Sequence, residues 1–255
     1  ALERGCAVTA LSPRTWLLAP VAEAAQPAIS LTLLEYGRPV VCAVALPSLP
    51  RNSMRGEKLL RMMVSYDGQS GAVAPPVGCL MWAEEGIGAY ERSVGGEHGT
   101  DIRIRVDRCL IGRRSIAQGV TTGVQDFSDV VRTEASAQAR AAALASQVGI
   151  STVLPADGPF AYGAVARGEA HVYLEMPDDS NSFDSAIWSH AAGWLLVKEA
   201  GGEVTDQAGN PLDFSTCGST RDLGAHIIGI VATNKDLHPS IMMASGKAAA
   251  AAGMA

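Results

Sequence analysis

Few side chains in this 255-residue chain are spaced as a reaction centre would need them. Trp188-Ser189-His190 leads into Ala191-Ala192-Gly193, and a face of such small residues lets a helix approach its neighbour closely. Trp188 and His190 therefore read as packing groups rather than as ligands. Glu23 stands alone among alanines, and a solitary glutamate is ordinarily a solvated one. Asp206 and Asp213 flank Gly209 and Pro211, where carboxylates organise turns. Arg103, Arg105, Arg108, Arg113 and Arg114 make a basic stretch that fits a solvated strand face and its turn. Cys6, Cys42, Cys79, Cys109 and Cys217 are odd in number and lack the paired spacing of zinc or redox sites, so they read as reduced thiols.

Composition narrows the class. With 47% hydrophobic and 18% charged residues the chain is globular, and aromatics at 5% leave the packing to Ala, Val and Leu. A net charge of −6 argues against nucleic acid as a partner, because that binding relies on clustered Lys and Arg. No run reaches the roughly 18 apolar residues of a membrane span, and the first residues lack the plan of a signal peptide. The expectation is a soluble, intracellular protein, an organelle after removal of a targeting segment included.

The elements that position these residues follow from periodicity. Ile29 to Tyr36 and Pro39 to Leu46 are apolar runs that predict a hairpin in a well-buried sheet, and Gly78 to Ala83 with Gly88 to Glu91 predict a second around Glu84-Glu85-Gly86. Asp101 to Asp107 alternates Ile102, Ile104 and Val106 inward against Arg103 and Arg105, completing one antiparallel layer. Arg51 to Val77 reads as a long excursion, and Gly112 to Asp129 as the passage to the second half. Glu134 to Val148 and Phe160 to Arg167 predict helices, His171 to Met176 a strand, and Pro177 to Ser182 a polar loop. A helix from Ser182 or Asp184 to Ala200 ends at Gly201-Gly202. Strands follow at Glu203 to Asp206 and Ile227 to Ala232. The domain reading is a sheet-rich half over 1–130, a second α/β half over 131–245, and a loosely ordered Ala/Gly-rich tail over 246–255.

Several of these words occur in one order. Trp188-Ser189-His190-Ala191-Ala192-Gly193, Glu199-Ala200-Gly201-Gly202, Val204-Thr205-Asp206, Gly209 and Pro211-Leu212-Asp213-Phe214 resemble the second signature of the inositol monophosphatase family. Tyr162 to Ala170, Gly229 to Asn234, Trp16-Leu17-Leu18 before Ala19-Pro20, and Ile29 to Pro50 extend the resemblance, which is nearest to the 3′(2′),5′-bisphosphate nucleotidases. The family implies a layered αβαβα fold and two or three Mg²⁺ ions, hard cations that need several carboxylate oxygens. It also implies N-terminal helices, expected to be missing here because the chain begins just before the first signature.

The motif positions depart from that chemistry. The first signature normally reads Trp-x-x-Asp-Pro-x-Asp-Gly-Thr, and the matching positions here include Ala19, Ala22, Glu23 and Ala24. The aspartate after the second tryptophan is Ser189. The nucleotidases' Glu-Ala-Ser-His-Ser-Ser-His becomes Glu134 to Arg140, with Ala137 and Arg140 at the histidine positions, and their Asp-Ser-Gln-Ala-Lys-Tyr becomes Asp157 to Tyr162, with Gly158 and Ala161 at the serine and lysine. No catalytic, substrate-binding or metal residue is therefore expected. The implied function is a catalytically inactive structural or scaffolding subunit, held with protein partners in a larger assembly and needing no cofactor. The alternative is a Mg²⁺-dependent phosphatase with a rebuilt metal site, acting on 3′-phosphoadenosine 5′-phosphate or an inositol phosphate. A nucleotide sensor without hydrolysis is a third reading.

Overall fold

The computed structural model describes residues 13–21, 27–50, 78–94, 100–109, 120–122, 147, 153–155, 158–175, 186–215, 223 and 229–251. Strands β1 (Arg14–Val21), β2 (Ala28–Glu35), β3 (Arg38–Pro50), β4 (Gly78–Glu84), β5 (Gly88–Ser93) and β6 (Ile102–Ile104) form one antiparallel sheet in chain order. Tight turns fix their register. Tyr36 and Gly37 both take positive φ, 50° and 79°, the geometry whose twist matches a two-residue hairpin. Gly86 at φ 77° turns β4 into β5.

A second sheet has the order β10-β11-β9-β7-β8, built from β7 (Val120–Thr122), β8 (Val153–Pro155), β9 (Val172–Glu175), β10 (Gly202–Thr205) and β11 (Ile230–Asn234). Its β7 pairs parallel with both β8 and β9, whereas β9, β11 and β10 pair antiparallel. Helices α1 (Gly158–Ala166) and α2 (Ile187–Glu199) pack between the sheets, against β2 and β3 on one side and against β9, β10 and β11 on the other. Helix α3 (His238–Ala251) packs on β11. The architecture is the layered α/β fold expected. The shared core runs from Leu34, Leu46 and Met81 of the first sheet through Phe160, Tyr162 and Leu196 of the helices to Tyr173 and Ile230 of the second.

Several expectations change in detail. The inward face of β2 carries Ala28, Ser30, Thr32 and Leu34, while Ile29 and Leu31 point outward and are exposed, as are Trp16 and Leu18 beside them on β1. An apolar run without alternation does not reveal which face is inside. Beyond Ile104 the expected strand tightens into a 3-10 turn at Val106–Cys109, and Ile102 is exposed rather than inward. Helix α2 starts at Ile187, because Ala186 is extended at φ −74°, ψ 137°. The tail is helical through Ala251, since consecutive alanines have high helix propensity and Pro239 stands in the first turn, where its missing N–H costs nothing. Strands β7 and β8 were not expected. The excursion 51–77, the loop 177–182 and all of the helix 134–148 except helical Gln147 lie outside the described residues. Among the described residues no helix is long and apolar enough to cross a membrane.

Candidate active site

The site is assembled where α1 begins, α2 begins and β9 ends. Gly193 lets α1 and α2 meet: a Cβ there would lie 2.1 Å from Tyr162 Cδ2, so the tyrosine ring rests on α2 backbone. Gly163 does the same on the opposite side, where a Cβ would come within 2.8 Å of Leu46 Cδ1. Two close approaches thus fix the rotation of α1 between the sheets. Its first residue, Gly158, then stands with its Cβ position 3.5 Å from the Tyr173 hydroxyl and 3.9 Å from the Ser189 carbonyl oxygen.

A line of buried polar groups runs beneath this junction. Tyr162 Oη and His190 Nδ1 are 3.0 Å apart, His190 Nε2 lies 3.9 Å from Glu175 Oε2, and that oxygen accepts the Tyr173 hydroxyl proton. The rings reinforce the line, with Tyr162 meeting Tyr173 edge-on at 4.8 Å. Burial holds His190 below the ordinary imidazole value, opposed by the Glu175 charge, and pushes the Tyr162 phenol well up, assisted by Glu175. The imidazole is therefore neutral and the phenol protonated near neutral pH.

The site residues read from sequence divide accordingly. Gly158 and Ser189 come together at this junction, with Ser189 partly exposed in the first turn of α2 and its N–H donating to Ala186 O at 2.9 Å. Ala161 is buried in α1, and Ala19 is buried on β1 opposite Ser30. Ala22, Glu23, Ala24, Ala137 and Arg140 lie outside the described residues. His190 packs as read, and Asp206 organises its turn by accepting from Asn210 N at 2.7 Å and Asn210 Nδ2 at 3.0 Å. Asp213 Oδ1 accepts from Ser215 N at 2.8 Å. Glu175, Tyr162 and Tyr173 were not singled out. The available signal was an acid ending a short strand whose other residues are all buried.

Magnesium would need hard oxygen donors converging on one point. Among the described residues no group of three or more His, Cys, Asp or Glu side chains could hold a metal. Ser189 offers a neutral hydroxyl, Ala19 a methyl, and the Glu175 carboxylate is engaged by Tyr173. The described residues do not fit the ion. The carboxylates of Glu23, Asp157, Asp178, Asp179 and Asp184 lie outside them.

Known proteins supply the comparison that geometry does not. The inositol monophosphatase family model matches residues 21–248. A 3′(2′),5′-bisphosphate nucleotidase of Oryza sativa is 33% identical over 242 residues, covering 91% of this chain and 59% of its own length. The corresponding Emericella nidulans protein is 33% identical over 244 residues, with 92% and 63% covered. The chain thus spans about three fifths of the curated relatives it matches. Among solved structures, CysQ from Bacteroides thetaiotaomicron aligns with a TM-score of 0.55 at 18% identity, over 88% of this chain and 70% of its own. A Thermotoga maritima IMPase aligns at 0.54 and 20%, over 93% and 70%. These two support the fold.

The relatives overturn the expected inactive scaffold. Proteins named as bisphosphate nucleotidases match over nine tenths of the chain, so the reading as a non-enzymatic structural subunit is corrected. The expectation of no cofactor is corrected with it, because the chain matches the family whose resemblance implied Mg²⁺. Loss of a ligand at an aligned position does not decide the matter, because magnesium needs oxygen donors that converge rather than particular residues, and the family match runs over residues 21–248.

Proposed function

The chain belongs to the inositol monophosphatase family, and from that premise we propose that it is a phosphoric monoester hydrolase acting on a 3′(2′),5′-bisphosphate nucleotide such as 3′-phosphoadenosine 5′-phosphate. One observation carries the reading: 33% identity to a 3′(2′),5′-bisphosphate nucleotidase, sustained over 91% of the chain. In the reaction a water oxygen bonds to the 3′-phosphorus, the P–O3′ bond breaks, and the ribose oxygen takes up a proton, leaving a 5′-nucleotide and inorganic phosphate. The protein's described contribution is positional. Gly158 keeps the start of α1 free of a side chain beside Ser189, and the buried groups below hold both helix starts in place.

The proposal includes a divalent-cation requirement, which the family resemblance implies. It also places the protein inside the cell. Cys42 and Cys79 are free thiols, and burial pushes both up to about 12, which keeps them protonated and inert.

The test is phosphate release from 3′-phosphoadenosine 5′-phosphate by the purified chain with Mg²⁺. Turnover that a chelator abolishes and added Mg²⁺ restores is expected. Release no faster than in buffer alone overturns the reading.

A further inference from the structure

The hydroxyl of Tyr162 is wholly buried, and among the described residues its one hydrogen-bond partner is His190 Nδ1, at 3.0 Å. A buried phenol must donate its proton somewhere. If His190 carried its proton on Nδ1, that N–H would point at the phenol oxygen and the phenol's own proton would have no acceptor among the described residues. At the other end of the ring, the bare Nε2 lone pair would face the Glu175 carboxylate 3.9 Å away. Both faults vanish when Nε2 carries the proton: Tyr162 then donates to Nδ1, and the Nε2–H dipole points toward Glu175. The separation of 3.9 Å makes this second contact electrostatic rather than a hydrogen bond. Glu175 is in turn fixed by the proton it accepts from Tyr173, two residues back on β9.

We infer that Tyr162 and Glu175 are positioning residues, which hold His190 in a single tautomer and rotamer and thereby set the first turn of α2, with Ser189, against the start of α1. The chain of contacts is continuous. Ser189 adjoins His190, Gly158 opens the helix that carries Tyr162, and the Gly158 Cβ position lies 3.9 Å from the Ser189 carbonyl and 3.5 Å from the Tyr173 hydroxyl. Gly193, one turn beyond His190, lets the Tyr162 ring lie close enough for its hydroxyl to reach back to the imidazole. Both residues are buried, and both act through the helix starts.

The inference rests on the phosphatase reading for its kinetic arm alone. Imidazole ¹⁵N spectra of the full chain, with the His190 signal identified by its loss in His190→Gln, should show a neutral ring protonated on Nε2. Tyr162→Phe removes the donor to Nδ1 while conserving ring volume. It should mix the two tautomers, shift the Ser189 amide resonance and lower kcat about tenfold, with KM changed by less than about twofold, as expected for a small misplacement. Glu175→Gln, which keeps an acceptor oxygen, should retain more of the Nε2–H tautomer and more of kcat than Glu175→Ala. Should Glu175→Ala not fold, Tyr162→Phe decides.

A His190 proton on Nδ1 overturns the inference. So does a Tyr162→Phe variant whose tautomer and Ser189 resonance match the parent, or one in which they move while kcat stays within twofold. If the parent chain releases no phosphate, the phosphatase reading falls, and the tautomer and the Ser189 resonance alone decide the positioning role.

Discussion

Helix α1 is anchored to two buried polar clusters of opposite character. At its C-terminal end Arg167 extends between two carboxylates, with Nη1 3.2 Å from Glu91 Oε2 on β5 and Nη2 donating to Glu169 Oε1. In its middle Tyr162 joins the neutral line through His190 to Glu175. In the first cluster a full cation faces two anions away from water, and although burial lowers the Arg167 value, Glu169, Glu91 and Cys79 together raise it above its ordinary range. The second depends on proton placement among neutral groups, with a single carboxylate at its end. Removing Arg167 from the ionic cluster strands charge, whereas removing Tyr162 from the second line strands only a hydrogen-bonding group on His190.

The largest effect should come from breaking the ionic cluster. Arg167→Met leaves Glu91 and Glu169 buried together without their cation, and urea unfolding should read a loss of about 3–5 kcal/mol. A loss below about 1 kcal/mol would show that the carboxylates protonate or hydrate without strain.

A smaller loss is expected at the neutral line. In Gly193→Ala the new methyl would fall 2.1 Å from Tyr162 Cδ2, and overpacking of that kind costs about 1–3 kcal/mol. The same denaturation measurement applies, and an unchanged midpoint would mean that α1 can slide without cost.

The smallest effect sharpens the contrast through pH. Burial holds His190 below its ordinary value of 6.5 in the folded chain, so between the two values the unfolded chain binds more protons. Stability is then full above about 6.5 and declines as pH falls toward the folded value. His238, held down by burial in the same way, acts in the same direction. His190→Gln should flatten part of this acid decline. An acid limb equally steep in His190→Gln would remove His190 from the account.

How much the sequence discloses depends on how local the determining contacts are. The hairpins of the six-stranded sheet are legible because Gly37 and Gly86 punctuate neighbouring apolar runs, although the first turn sits at Tyr36-Gly37, one residue before the Gly37-Arg38 that the sequence suggests. Strands β7 and β8 are three residues each and pair in parallel across about thirty intervening positions, so neither alternation nor a turn announces them. Their strand character comes from their neighbours. Ala191-Ala192-Gly193 predicts close approach correctly, and what approaches is the ring of Tyr162, which no periodicity names. At the site, Ser189 and Gly158 were legible from motif positions. Glu175 was not, because a lone acid at a strand end gains meaning only when His190, fifteen residues later, folds over it. The inactive reading rested on ligand losses at four motif segments, and magnesium asks for converging oxygen donors rather than for particular aligned residues.

The placement of α1 and α2 also bears on how the molecule comes apart. Each helix is a wall of both sheets at once, touching β2 and β3 on one side and β9 or β10 and β11 on the other. Neither sheet can close its apolar side until the helices are seated, and neither can shed them without wetting the other. The two sheets should therefore melt together in one calorimetric transition whose van't Hoff and measured enthalpies agree, although strand pairing within each sheet is entirely its own.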